Sequence, residues 1–234
     1  MSDFAPVREL IKDVPGWLSD EEGEALYELA KRCTGEGVIV EIGSWKGKST
    51  ICLGLGSRAG SGVRVFAVDP HADYRHGEFK ENIERAGIAD LVTPVKGMSQ
   101  EVVDDFDQPI ELLFVDGSHE EEDVRHDFDT WVPKVVDGGA VAFHDTTWHA
   151  GVRRVVAEQI YASRQFRDVR FVIGSTTVAR KVFENTARDR LHARRVQATK
   201  RVFGAVTSVL KKKRGWLPGP VERVGRRMFN LVGR

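Results

Sequence analysis

Residues 38–49, Val-Ile-Val-Glu-Ile-Gly-Ser-Trp-Lys-Gly-Lys-Ser, predict the fold of this chain. An apolar strand comes first, and a loop containing Gly43 and Gly47 follows it and opens a helix. Glu41 is expected to place a carboxylate at the mouth of this loop. That charge would repel a polyphosphate and attract a ligand that carries an ammonium and a sulfonium. The stretch therefore predicts a strand–loop–helix unit that binds a positively charged ligand.

A second strand, residues 63–69, also ends in a carboxylate, that of Asp69. It begins about twenty residues after the loop, so that the two strands and the helix between them form one β–α–β unit. An acidic side chain at the end of the second strand of such a unit can reach the hydroxyl pair of a ribose.

Strand and helix signals alternate along the chain, and several strands are continuous apolar runs. Such runs are typical of a parallel sheet that is covered by helices on both faces. Residues 170–182 instead predict a hairpin with a Gly-Ser turn, so that the last strand should be antiparallel to its neighbour. We predict an α/β, Rossmann-like fold with strands at 37–42, 63–69, 91–95, 110–116 and 139–144, and helices at 47–57, 78–87, 99–105, 120–133 and 151–162.

The start of the chain is predicted to be an irregular lead-in over residues 1–17. Ser19 and Glu22 then form a capping-box pattern that opens a helix ending near Arg32. The N-terminus lacks the pattern of a signal peptide, and no run of about eighteen apolar residues is present. Cys33 and Cys52 form neither a disulfide framework nor a metal-site spacing. We therefore expect an unprocessed cytoplasmic protein with two reduced core thiols.

The zero net charge hides an asymmetry between the body and the tail. Residues 188–234 contain fourteen basic and two acidic side chains, which leaves an acidic body. Apolar residues recur at helical spacing from Val202 to Leu210, beside the basic run 211–214. We predict a domain at 1–185 and a basic amphipathic tail at 186–234. The tail suits an anionic membrane surface; packing on the domain or on a sister subunit is the equal alternative, and nucleic acid is the least favoured.

Two short motifs after later strands supply further candidate residues. Ser99 and Gln100 follow the third strand, where Ser99 suits a helix N-cap and Gln100 offers both a donor and an acceptor to a base edge. Asp116 ends the fourth strand and Asp145 ends the fifth. Two close carboxylates repel each other unless they are protonated or bridged by a cation, so we expect Mg²⁺ or a similar ion between them.

His119 is the first candidate for a general base. It lies three residues after Asp116, at the mouth of the same crevice, and the pKa of histidine suits proton transfer near neutral pH. His144, beside Asp145, is the competing candidate.

The glycine loop leaves other ligands open. A dinucleotide fingerprint needs Gly-x-Gly-x-x-Gly, which the loop lacks. A P-loop needs four residues between its first glycine and Gly-Lys-Ser, whereas Gly43 and Gly47 enclose only three. An NTPase nevertheless stays open, because Asp116 ends a strand in the way a magnesium-binding aspartate does. The loop is also compatible with a tight turn that binds nothing.

In their order, the motifs resemble those of S-adenosylmethionine-dependent O-methyltransferases of the catechol O-methyltransferase type. They look more like the bacterial branch that includes macrocin-type sugar methyltransferases and cephalosporin-hydroxylase-like proteins. The resemblance covers about residues 14–182 and implies a class I methyltransferase fold, a mostly parallel seven-stranded sheet with an antiparallel last strand. The matching stretches are 15–19, 41–49, 68–70, 97–100, 115–119 and 138–145.

The resemblance also implies roles for single residues. His119 stands where the catechol enzymes keep a catalytic lysine, and Thr146 where they keep an asparagine metal ligand. Asp116, Asp145 and Thr146 would hold the metal. The cofactor would be bound by Glu41, Gly43, Ser44, Trp45, Gly47, Ser49, Asp69, Ser99, Gln100 and Asp116.

The predicted function is metal-assisted methylation of a hydroxyl on a small molecule, sugar or glycolipid. S-adenosylmethionine is the expected cofactor. A cofactor-binding interaction protein without chemistry is the alternative from another class. If the tail binds a membrane, the protein lies peripherally on its inner face.

Overall fold

A seven-stranded sheet forms the centre of the computed structural model, which describes residues 3–71 and 75–214. The strands lie in the order β3-β2-β1-β4-β5-β7-β6. Strand β7 is antiparallel to both of its neighbours, and the other six strands run parallel to one another. Their bounds are β1 Val38–Ile42, β2 Val65–Asp69, β3 Val92–Lys96, β4 Ile110–Val115, β5 Val135–Phe143, β6 Phe166–Val172 and β7 Thr176–Lys181. The predicted Rossmann-like methyltransferase fold, with its reversed last strand, is confirmed.

Helices cover both faces of the sheet and follow the strands in the predicted alternation. Helix α7 continues into a π-helical turn at Ala157–Tyr161, so the single helix predicted at 151–162 is divided in two. The helices are α1 Ala5–Ile11, α2 Asp20–Lys31, α3 Lys48–Ala59, α4 Arg75–Arg85, α5 Ser99–Asp105, α6 Glu121–Trp131, α7 Ala150–Val156 and α8 Ala187–Arg214.

The alternation of side chains along β1 gives the protein two apolar layers. Val40 is buried with residues of α5 to α8 in the first apolar layer, whereas Ile39 is buried with residues of α1 to α4 in the second apolar layer. Because both faces of the strand are covered, β1 reads as a continuous apolar run, as expected for a central parallel strand. Glu41, directly after Val40, is the one charged residue of this strand, and it is fully buried.

The prediction of an irregular lead-in over residues 1–17 was wrong. Residues 5–11 form α1, and Phe4, Val7, Ile11 and Val14 are buried at helical spacing in the second apolar layer. The capping box of Ser19 and Glu22 is present at the start of α2. Packing onto the domain stabilises a helix of only seven residues, which propensity alone would not.

The basic tail begins as a long helix that packs on the edge of the sheet. Helix α8 contacts β6, and it buries Ala193 and Val196 in the first apolar layer. Residues 215–234, the last part of the predicted basic tail, lie outside the described residues. Over residues 3–71 and 75–214, no helix combines the length and the apolar character that crossing a membrane requires.

Candidate active site

A cavity of about 650 Å³ lies at the carboxyl ends of the central parallel strands. Open α/β sheets bind their ligands at this edge. Gly43, Asp69, Asp116 and Asp145, which follow or end β1, β2, β4 and β5, all line it. The size suits a cofactor or another small molecule, for which pockets of roughly 300–1,000 Å³ are typical.

The two glycines of the loop have different tasks. Gly43 has φ +87°, and a Cβ there would lie 2.1 Å from the carbonyl oxygen of Asp116, so only glycine allows β1 and β4 to approach so closely. Gly47 has φ +88° at the N-cap of α3, and a Cβ there would meet Phe79 and Ile83 of α4 at 3.2 Å. Gly43 lines the cavity and Gly47 does not, and the contact expected between Gly47 and the cofactor stays a prediction.

Glu41 is not at the mouth of the loop, and this expectation was wrong. Its side chain is 0% exposed and lies beneath the loop, where its two carboxylate oxygens accept hydrogen bonds from the hydroxyls of Ser49 and Thr50. Burial raises the pKa of Glu41 to about 8, although the two hydroxyls favour the ionised form. Glu41 therefore holds the first turn of α3, while Ser49 also lines the cavity.

Asp69 organises the next part of the wall. Its Oδ2 accepts the backbone N–H of Trp45 at 2.9 Å, and its Oδ1 accepts that of His71 at 2.7 Å. Each carboxylate oxygen keeps lone-pair capacity for a ligand hydroxyl. Trp45 also stacks on the exposed Trp17, with ring centroids 5.1 Å apart, and Ser44 lies 3.4 Å from the ring of His71. Ser44, Trp45 and Asp69 all line the cavity.

Ser99 and Gln100 also line the cavity, together with Asp127, a residue that the sequence analysis missed. Ser99 was predicted as an N-cap, but Met98 takes that position and the Ser99 hydroxyl donates to Asp127 Oδ1 at 2.6 Å. Burial raises the pKa of Asp127 to about 6. An acidic residue on the apolar face of α6, three positions after Val124, was the available signal.

His144 lies between the carboxylates at the floor of the cavity. Its Nδ1 is 3.0 Å from Asp116 Oδ1 and 3.6 Å from Asp145 Oδ2, and its Nε2 is 3.4 Å from Glu22 Oε1. Burial opposes the charged imidazole, but the three carboxylates outweigh it and raise the pKa of His144 to about 12. An imidazolium so stabilised is a poor proton acceptor near neutral pH, so this environment favours His119 over His144 as the candidate general base.

Burial raises the pKa of Asp116, whereas the pKa of Asp145 is lowered. Burial also opposes the ionised form of Asp145, but His144, His149 and His119 lower its pKa. The positive charge that two close carboxylates require is thus supplied, at least in part, by protonated His144.

His119 lies on the rim of the cavity, beside Asp145. Its Nε2 is 2.9 Å from Asp145 Oδ2, and its ring stacks on that of His149 at a centroid distance of 3.8 Å. His149, which the sequence analysis did not consider, lies 3.6 Å from the same carboxylate oxygen. It is four residues after Asp145 and opens α7, which was a usable signal.

Two groups of potential metal ligands share Asp145. Asp116, His144 and Asp145 form one group, and His119, Asp145 and His149 form the other. The hydroxyl of the predicted third ligand, Thr146, is buried and engaged elsewhere: it donates to the Ser175 carbonyl at 2.7 Å and lies 2.9 Å from the Thr177 hydroxyl. Its assignment as a metal ligand does not fit this geometry.

Comparison with known proteins gives a family match for the centre of the chain. Residues 40–146 match a family model described as a methyltransferase domain. Protein y4gI of Sinorhizobium fredii, which is uncharacterized, is 35% identical over 117 residues. That match covers 46% of this chain and 13% of the longer relative.

Solved structures share the fold over about three quarters of this chain at low identity. An O-methyltransferase from Bacillus cereus in complex with S-adenosylhomocysteine has a TM-score of 0.61 at 20% identity, over 77% of this chain and 93% of that one. The O-methyltransferase TomG of Streptomyces achromogenes, in complex with S-adenosylmethionine, has a TM-score of 0.58 at 19% identity, over 78% and 91% of the chains. This chain therefore has the Rossmann-like methyltransferase fold, and its residues 40–146 match the methyltransferase domain family.

Proposed function

We propose that this protein is an S-adenosylmethionine-dependent O-methyltransferase that methylates a hydroxyl of a small molecule, sugar or glycolipid. The observation that carries the proposal is the cavity at the carboxyl end of the sheet, which Gly43 and Asp69 line, with the Asp69 carboxylate accepting the backbone N–H of Trp45 in the glycine loop. The family match and the cofactor complexes of the structural neighbours support it.

The residues of the cavity fit this cofactor in chemistry. Asp69 offers acceptors to the two ribose hydroxyls, and Gln100 and Ser99 lie on the wall proposed for adenine. The carboxylates of Asp116 and Asp145 favour a ligand with positive charge. When bound, the cofactor supplies an electrophilic methyl group on its sulfonium.

His119 is the residue proposed to take the proton of the acceptor hydroxyl. Its Nε2 lies 2.9 Å from Asp145 Oδ2 without forming a hydrogen bond, so neither ring nitrogen is occupied by this contact. The Asp145 carboxylate would stabilise the imidazolium that forms. Holding the hydroxyl near the cofactor supplies the alignment on which an in-line displacement depends.

We also propose that a divalent ion assists the reaction, held by Asp145 together with one of the two ligand groups. The first group combines the carboxylates of Asp116 and Asp145 with His144, which would have to lose its proton to bind an ion. In the second group, the imidazoles of His119 and His149 favour a transition metal. Such an ion would lower the pKa of an acceptor hydroxyl and orient it. The two ligand groups can be distinguished by substitution. Replacing His119 or His149 removes a ligand from one group, and replacing Asp116 or His144 removes a ligand from the other.

Methyl transfer from labelled S-adenosylmethionine into fractions of a cell extract tests the activity, with and without a chelator. Labelled product from the native chain supports the enzyme. Cofactor binding without transfer to any fraction would favour the interaction protein that lacks chemistry. ATP binding in place of S-adenosylhomocysteine, measured by thermal shift, would favour the NTPase.

For the tail, we propose peripheral contact of a cytoplasmic protein with an anionic membrane. Val202, Val206 and Val209 are exposed on α8, at helical spacing and among basic residues. Co-sedimentation with anionic liposomes should be weakened in a Val202→Ser/Val206→Ser/Val209→Ser variant. Equal sedimentation of the variant would contradict membrane contact, and a dimer in light scattering that the variant loses would indicate a sister subunit instead.

A further inference from the structure

A second cavity, of about 820 Å³, adjoins the cofactor cavity, and His119 lines both. Its walls are the loop at 119–121 after β4, residues 147–161 around α7, and residues 197–208 of α8. The tail helix therefore completes this cavity. If a methyl group is delivered beside His119, a molecule in the second cavity is placed to receive it.

The lining of the second cavity is rich in positive charge. Arg153 and Arg154 come from α7, and Lys200 and Arg201 come from α8. Arg154 is neutralised by Glu121, whose Oε2 lies 2.9 Å from its Nη1. The remaining acidic lining residue is Glu120, which is exposed. Three cations thus face the cavity against one solvated carboxylate.

Lys200 is the least ordinary of these cations. Lys200 is only 5% exposed, and its ammonium donates to the Thr177 hydroxyl at 3.3 Å. The ammonium also lies 5.3 Å from the ring centre of Tyr161. An ammonium has three donors, and the described residues supply one hydrogen-bond acceptor.

The charges near Lys200 make its burial costly. Burial lowers the pKa of Lys200 to about 7, and the like charges of Arg153 and Arg201 act in the same direction. A buried cation is normally retained with a paired anion. Arg153, for its part, donates to the Thr147 carbonyl at 3.1 Å, which fixes its guanidinium at the cavity wall.

We infer that the methyl acceptor carries an oxyanion, a phosphate or a carboxylate, that binds to Lys200, Arg153 and Arg201 while its hydroxyl reaches His119. This inference rests on the proposed methyltransferase function and narrows its substrate class. The first part of the basic tail, which includes Lys200 and Arg201, would then bind the substrate. An oxyanion at this position supplies the counter-charge that Lys200 lacks, and guanidinium groups bind either oxyanion in bidentate geometry.

Three hexoses that differ at one carbon test the inference. Glucose 6-phosphate, glucuronate and glucose are titrated into the full chain saturated with S-adenosylhomocysteine, with calorimetry as the readout and inorganic phosphate as a probe without the sugar. We expect at least one anion to bind about tenfold more tightly than glucose. The phosphate and carboxylate arms identify which oxyanion is preferred.

Variants of α8 assign the binding to this cavity. Lys200→Met, which keeps the unbranched stem of the side chain and removes its amine, and Arg201→Gln should each weaken anion binding about tenfold. Arg195→Gln is the matched control, because Arg195 is exposed on the same helix and does not line the cavity. It should bind the anion as the native chain does. Thermal unfolding checks that each variant is folded.

The inference is overturned if no anion binds at millimolar concentration, if glucose binds equally well, or if Lys200→Met and Arg201→Gln bind as the native chain does. Binding of S-adenosylhomocysteine is measured first in every sample. If it binds and the anions do not, the substrate class is wrong and the proposed function stands. If it fails to bind to the native chain, the proposed function itself fails.

Discussion

Nε2 of His119 lies 2.9 Å from Oδ2 of Asp145, at the point where the two cavities meet. This contact joins the loop after β4 to the end of β5. A proton acceptor held by a carboxylate at such a junction can serve a cofactor on one side and an acceptor molecule on the other. The first prediction follows from it.

Replacing His119 by alanine should lower kcat by about 10²–10⁴-fold, which is the usual contribution of a general base. The affinity for S-adenosylhomocysteine should stay nearly unchanged, because Asp69 and the glycine loop form the proposed cofactor site. Steady-state kinetics and calorimetry measure the two effects separately. His126→Ala, on the exposed face of α6, is the control. A collapse of cofactor affinity in His119→Ala would show that the role assigned to His119 is wrong.

Asp69→Asn should weaken binding of S-adenosylhomocysteine by about ten- to a hundredfold, the range expected for lost hydrogen bonds to a charged group. Asp69 also accepts the N–H groups of Trp45 and His71, so the variant loosens the loop as well as the ribose contact. Asp104→Asn, an exposed change on α5, is the matched control. If the affinity of Asp69→Asn for S-adenosylhomocysteine is unchanged, Asp69 does not bind the ribose.

The free energy of unfolding should depend on pH through the titration of Glu41. Burial raises its pKa from 4.5 to about 8, so the folded state binds more protons than the unfolded state between these values. The free energy of unfolding should therefore fall as pH rises through this window, by up to ~1.4 kcal/mol per pH unit from this group. Glu41→Gln, which stays neutral, should flatten the slope in urea titrations at several pH values. An unchanged slope in Glu41→Gln would contradict the prediction.

Asp145→Asn should abolish binding of a divalent ion, because Asp145 belongs to both candidate ligand groups. Equilibrium dialysis with Mg²⁺, Mn²⁺ and Zn²⁺, followed by elemental analysis, measures the bound metal. His149→Ala then separates the two groups, since it removes a ligand from only one of them. A native chain that binds no divalent ion would refute metal assistance while leaving the methyltransferase proposal intact.

Two valines of α8 should respond differently to a charge. Val196 is 4% exposed in the first apolar layer, so Val196→Asp should lower the free energy of unfolding by about 2–4 kcal/mol. Val206 is 44% exposed, so Val206→Asp should change it by about 0.5 kcal/mol or less. Equal effects in chemical denaturation would contradict the packing of α8 on the sheet.

The fold could be predicted from the sequence because its strands and turns are indicated by local sequence patterns. The apolar runs, the turn at Gly43 and the Gly-Ser hairpin each follow from backbone preferences that tertiary packing did not override. Helix α1 was missed because seven residues form a stable helix only through packing, although the spacing of Phe4, Val7 and Ile11 already carried the signal.

The site was less accessible, because it depends on which way each side chain points. Glu41 interrupts an apolar strand in the sequence, and only the packing of α3 shows that its carboxylate points beneath the loop. Thr146 directly follows Asp145, yet its hydroxyl bonds to the β6–β7 turn. The charge of His144 arises from Glu22, Asp116 and Asp145, which are distant in sequence and meet only in the fold.

Calorimetric titration of the native chain with S-adenosylhomocysteine, in the absence and in the presence of ATP, tests most directly whether the edge of the sheet is a site for the methyl donor. We predict saturable one-to-one binding of S-adenosylhomocysteine that ATP does not displace. Absence of binding at saturating concentration, or its displacement by ATP, would contradict the account.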